Sequence, residues 1–186
     1  MNNLAEVKIL IEGFVAGENN NITQATITLV KDENKTMVVD PGVLDDQKIL
    51  IDALKKEGLS ISDVNYVCIT HSHLDRYRNI GMFPKAKTLE YYGVWDGGKV
   101  EDSKERFSKN IRIVKTPGHN YDGLSLLVKT NKGVVAIVGD IWWKEEYPKD
   151  DPYASDTKKL EQSRKKILKL ADYIIPGHGK MFRVEK

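Results

Sequence analysis

Apolar and polar residues alternate over residues 7–15 and again over 22–30, with the turn-forming stretch Gly17-Glu18-Asn19-Asn20-Asn21 between them, so the chain is expected to open as a β-hairpin. Residues 36–39 make a short strand closed by Asp40-Pro41-Gly42. Over 44–57 the apolar positions recur at helical spacing, placing Ile49, Leu50, Ala53 and Leu54 on one side, and Gly58 stops the helix. The apolar run 64–70 predicts a buried strand with Cys68 as a small core residue. Short strands follow at 88–90, 111–115, 124–128 and 134–138. A helix over 156–171 turns Leu160, Ile167, Leu168 and Ala171 inward, its lysines and arginines forming a solvated face, and 173–175 is the last strand. The stretch 91–110 reads either as a flap or as a connecting segment with a helix. Strands that come first as hairpins and later alternate with helices favour two packed sheets with helices outside, an α+β arrangement.

Composition narrows the setting. A chain of 186 residues suits one core, so a single domain over 1–186 is expected. It is 40% hydrophobic and 30% charged, without an apolar run of the roughly 20 residues that spans a bilayer, which excludes a membrane protein. The start, 1–12, carries Lys8 and Glu12 and lacks the pattern of an export signal, which points to the cytoplasm. One cysteine cannot form an internal disulfide. The net charge of +2, with both signs interleaved, provides no concentrated field for nucleic acid, and nothing in the sequence excludes a homodimer.

The chemistry gathers at strand ends. All 4 histidines sit there, each in a turn-like sequence. Thr70-His71-Ser72-His73-Leu74-Asp75-Arg76 follows the 64–70 strand. Alternate residues of an extended segment share a face, so His71 and His73 point the same way, and a turn brings Asp75 alongside. Two imidazoles and a carboxylate suit Zn²⁺, or less selectively Mn²⁺ or Fe²⁺. Thr116-Pro117-Gly118-His119, Gly139-Asp140 and Pro176-Gly177-His178-Gly179 each follow a later strand. Taken singly, each is an ordinary turn sequence.

In sequence and in order, these four motifs resemble the metal-binding motifs of the metallo-β-lactamase superfamily, a match spanning 39–179. The turn at Asp40 resembles the superfamily's segment whose acidic residue supports the site from behind the ligands. Within the superfamily the chain is similar to the family of metallo-β-lactamase-domain-containing protein 1. The resemblance implies a four-layer αββα sandwich with metals at one edge. It assigns His71, His73 and His119 to a first metal and Asp75 and His178 to a second, with Asp140 bridging or leaning toward the second. The histidine that most members carry after the motif aspartate is replaced by Arg76, which cannot donate a lone pair to a metal. Inside the site Arg76 would repel a second cation and replace its charge. Yet several β-lactamases with a non-ligand at that place still bind two metals, and Asp75, Asp140 and His178 make three ligands, so a weaker second metal is expected.

A metal-bound hydroxide is the expected nucleophile, because coordination lowers the pKa of water to roughly 7, and Asp75 is the residue expected to orient the water and take its proton. Tyr121, Trp142 and Trp143 flank ligands and are candidate substrate-binding residues at the rim. His73 argues against the superfamily's oxygen reductases, which usually carry Glu there. A small ester, thioester or lactone is the expected substrate. A phosphodiesterase or nuclease of the same fold is the alternative, and a third reading is a metal-binding or sensing module in which Arg76 suppresses turnover.

Overall fold

The computed structural model describes residues 4–16 and 21–185; of the expected turn over 17–21, residues 17–20 lie outside them. The strands in chain order are β1 (Glu6–Ile11), β2 (Phe14–Ala16), β3 (Ile22–Gln24), β4 (Ile27–Asp32), β5 (Lys35–Val39), β6 (Tyr66–Cys68), β7 (Lys87–Glu90), β8 (Gly93–Asp96) and β9 (Lys99–Glu101). After them come β10 (Ile111–Lys115), β11 (Leu124–Thr130), β12 (Gly133–Ile137), β13 (Tyr173–Ile175) and β14 (Phe182–Arg183). The first sheet has the order β1-β4-β5-β6-β7-β8-β9 and the second β10-β11-β12-β13-β14, with β2 and β3 a separate ribbon.

Strand alternation decides what each sheet buries. Met37 and Val39 of β5 and Leu124, Leu126 and Val128 of β11 enter one core between the sheets, while Val38 and Leu127 face the other way. Val38 packs with Leu50 and Leu54 of α1 (Lys48–Lys56), and Leu127 shares a cluster with Leu160 and Ile167 of the C-terminal helix. The result is helix, sheet, sheet, helix, as the sequence implied. Each fully buried aliphatic side chain contributes about 1.5–3 kcal/mol, so these three clusters account for much of the stability.

The details depart from the sequence reading in four places. The opening hairpin is broken, because Gly13 packs so tightly on 24–26 that a Cβ would lie 2.3 Å from the Gln24 carbonyl oxygen. Thr26 there turns to the C-terminal loop, its N–H donating to the Gly177 carbonyl at 2.7 Å and its hydroxyl to that of Gly179 at 3.1 Å. The first helix begins four residues later than expected, since the Asp46 carboxylate accepts the Lys48 N–H at 2.7 Å and holds the chain in a turn before it. Ile49 is 47% exposed and Leu168 40%, each falling at the margin of its helix's apolar stripe. Within 91–110 there is no helix but the hairpin β8–β9, turning at Gly97 with φ +59. Among the described residues no helix is long and apolar enough to cross a membrane.

Candidate metal centre

Four strand ends meet at one edge of the sandwich. Beyond β6, Thr70 is tied to Asp40, its N–H and hydroxyl donating to the two carboxylate oxygens at 2.8 and 2.7 Å. That anchor sets where His71 and His73 leave the sheet, and the short helix α2 (Leu74–Tyr77) then presents Asp75 and Arg76. His119 is placed by Gly118, whose φ is +139 and whose Cβ would lie 2.2 Å from the Leu160 backbone nitrogen. Only glycine lets this loop lie against the helix α3 (Thr157–Leu170), which is capped by Asp156. Asp140 and His178 follow the neighbouring parallel strands β12 and β13, so they arrive side by side.

The ligand atoms then fall into two sets. His71 Nε2 and His119 Nε2 lie 3.1 and 3.0 Å from His73 Nδ1, and Asp140 Oδ2 is 3.6 and 3.5 Å from the first two. Asp75, Asp140 and His178 form the other set; within each, the ligand atoms lie within 4.8 Å of one another. All six residues expected from the sequence are therefore brought together. Arg76, fully buried, stands inside the second set. Its Nη2 is 2.5 Å from Asp75 Oδ2, 2.6 Å from His178 Nε2 and 3.4 Å from Asp140 Oδ1, and its Nη1 donates to the Gly177 carbonyl at 2.9 Å.

Hydrogen bonding on the far side of each ring tests whether the first set suits a metal. His119 Nδ1 is 2.6 Å from Asp151 Oδ2, so the ring proton sits there and Nε2 is bare. The Thr70 hydroxyl spends its proton on Asp40 and can only accept at its 3.2 Å contact with His71 Nδ1, which leaves His71 Nε2 bare as well. Two bare nitrogens thus face one ring nitrogen of His73, which can satisfy only one of them. A cation shared by the three rings satisfies all, so the residues fit a metal.

The electrostatics agree. Burial pushes the His71 imidazole far below its ordinary value, partly offset by Asp140, and burial followed by the neighbouring His119 lowers His73. Both rings stay neutral, the form that ligates. Burial alone would raise the Asp140 carboxyl, but the Arg76 guanidinium is the largest opposing cause and the group is held well below the usual carboxylate range. Asp40 is pushed up to about 7 by burial, with Arg76 and Thr70 pulling the other way.

The lowered His71 value carries a pH prediction for the metal-free protein. Below 6.5 the unfolded chain takes up a proton that folded His71 refuses, so this contribution is complete above 6.5 and is lost as pH falls toward the folded value. Asp40 acts in the opposite sense between 3.8 and about 7, so a comparison with His71→Asn isolates the histidine. With chelator present, the difference in urea midpoint between the two proteins should move against the wild type between pH 7.5 and 5.5. A constant difference would contradict it.

Asp151 is a candidate site residue that sequence reasoning missed. It lies 32 positions after His119 in an ordinary acidic turn, with no periodicity or motif to mark it. Asp151→Asn is expected to weaken metal binding about 10–100-fold, the usual cost of losing a carboxylate behind a ligating histidine, measured by chelator competition.

A pocket of about 210 Å³ opens on the centre, lined by Thr23, His73, Asp75, His119, Trp143 and Tyr153 among others. Trp143 packs edge-on to both His119 and His178 with ring centroids 6.4 Å away, and stacks on Tyr153. Trp142, expected at the rim, instead packs in the core under α3 with the Arg164 guanidinium over its ring, because successive residues point to opposite sides. Tyr121, 62% exposed, does not line the pocket either. A second cleft of about 350 Å³ reaches His71 from the β7–β8 side, between Tyr77, Tyr91 and Trp95.

Residues 21–114 match the family model described as Metallo-beta-lactamase superfamily. The chain is 33% identical to metallo-beta-lactamase domain-containing protein 1 of Xenopus laevis, over 97% of this chain and 82% of that protein. It spans 59% of the human protein of the same name. It is also 33% identical to a "probable metallo-hydrolase" of Methanocaldococcus jannaschii, covering 97% of this chain and 90% of the relative. Among solved structures, AidC, a dizinc quorum-quenching lactonase in complex with a product N-hexanoyl-L-homoserine, shares the fold with a TM-score of 0.62 at 18% identity, over 84% of this chain and 73% of that one.

Proposed function

Since the chain belongs to the metallo-β-lactamase superfamily, we propose that it is a metal-dependent hydrolase of a small ester, thioester or lactone, with its metal on His71, His73 and His119. The observation that carries this reading is the convergence of three imidazoles, two with bare nitrogens, beside a pocket that His73 and His119 line. When bound, a Zn²⁺ ion would bring the pKa of water down to roughly 7 and would polarise the scissile carbonyl.

The chain's own residues do the rest. Asp75, fixed by Arg76, is the carboxylate we assign to orient the attacking water and accept its proton. Asp151 and Thr70 hold the rings of His119 and His71 in the ligating tautomer. Trp143 walls the pocket. A lactone or thioester carbonyl fits the 210 Å³ pocket, while the aromatic cleft beside His71 accommodates an apolar arm. The likeness to a lactonase supports this choice.

The test is turnover after loading with Zn²⁺, Mn²⁺ or Fe²⁺ on an N-acyl homoserine lactone, a thioester and a bis-aryl phosphate. Hydrolysis of the first or second is expected. Cleavage of the phosphate alone would move the assignment to a phosphodiesterase, and metal binding without turnover on any of the three would leave a sensing module.

A further inference from the structure

The geometry points to a single-metal centre in which the Arg76 guanidinium permanently takes the place of the second ion. This deepens the hydrolase reading and rests on it for the first metal. It also replaces the weaker second metal expected from the sequence.

The argument is one of occupied lone pairs. Asp75 Oδ2 and His178 Nε2 lie 3.7 Å apart, and an ion would join them at about 2.0–2.2 Å from each. Arg76 Nη2 already stands between them at 2.5 and 2.6 Å. His178 Nδ1 lies 2.9 Å from the Gln24 carbonyl, so its proton is there and Nε2 accepts from the guanidinium. The two protons of Nη2 thus go to the two atoms a second ion would need, and Asp140 Oδ1 follows at 3.4 Å.

Nor can the side chain easily swing aside. It is fully buried, Nη1 is held by the Gly177 carbonyl, and the Arg76 carbonyl accepts the Gly42 N–H at 2.9 Å. Gly177 leaves room for this packing, since a Cβ there would lie 1.7 Å from Asp140 Oδ1 and 3.1 Å from Arg76 Nη1. A guanidinium does not lose its charge, so a divalent ion entering the same set meets a fixed positive group as well as occupied ligands.

Metal content per folded chain tests this directly, by native mass spectrometry and by Co²⁺ titration followed through its visible absorption. The wild type should saturate at one ion, and Arg76→His should rise to two. Arg76→Gln, which removes the fixed charge without adding an imidazole, should also take a second ion and serves if the histidine variant does not fold. Two ions of comparable affinity in the wild type, or one ion in whichever variants fold, would overturn the proposal while leaving the hydrolase reading intact. No ion at all in the wild type would overturn both. If neither variant folds, the wild-type count alone decides between one ion and two.

Discussion

His119→Ala is expected to lose metal at least about 100-fold more readily than the wild type and to lose hydrolysis with it. Removing a carboxylate behind a ligating histidine already costs about 10–100-fold, and here the ligand itself goes. The variant leaves two imidazoles where the geometry supplies three, and it strands Asp151, whose partner is the His119 ring at 2.6 Å. Chelator competition measures the first effect and turnover the second. His119→Gln, which keeps a polar group near Asp151, should match the alanine variant in metal loss while recovering part of its stability. Retention of metal at wild-type affinity in both would show that the three rings are not the ligand set.

Arg76→Leu should destabilise the metal-free protein by about 3–5 kcal/mol in urea unfolding at neutral pH. That is the usual result of removing one partner from a buried charge network. Asp140 would be left as a buried anion with His178 but without the guanidinium, and Asp75 would lose its 2.5 Å partner. Zn²⁺ should return part of the loss, because a ligand that binds only the folded state stabilises it in proportion to the logarithm of its concentration over Kd. A change below about 1 kcal/mol would mean that the three carboxylates around Arg76 do not depend on it.

The six candidate ligand residues were legible as a cluster because each sits in a short motif right after an apolar strand, and strand ends are where a sheet delivers side chains to one edge. The layer order was legible because alternation in β5 and β11 names two opposite faces for each strand. Asp151 was not, since its role exists only once a loop 32 residues on folds back beneath His119. Arg76 was half legible: its chemistry excludes it as a ligand, but whether it lies in the second set depends on the Gly177 loop, 101 residues away. Trp142 and Trp143 are adjacent and equally apolar, and only the tertiary fold turns one to the core and the other to the pocket. The broken opening hairpin has the same origin, because Thr26 is claimed by a loop 153 residues downstream.

The two sheets divide the chain in order: β1, β4–β9 and the ribbon come from its first part, and β10–β14 from its second. The candidate ligands divide the same way, with His71, His73 and Asp75 before the boundary and His119, Asp140 and His178 after it. Neither part alone owns three imidazoles. Whatever binds the ion therefore binds the two halves of the chain to each other, and by linkage affinity for metal is also affinity of one half for its complement.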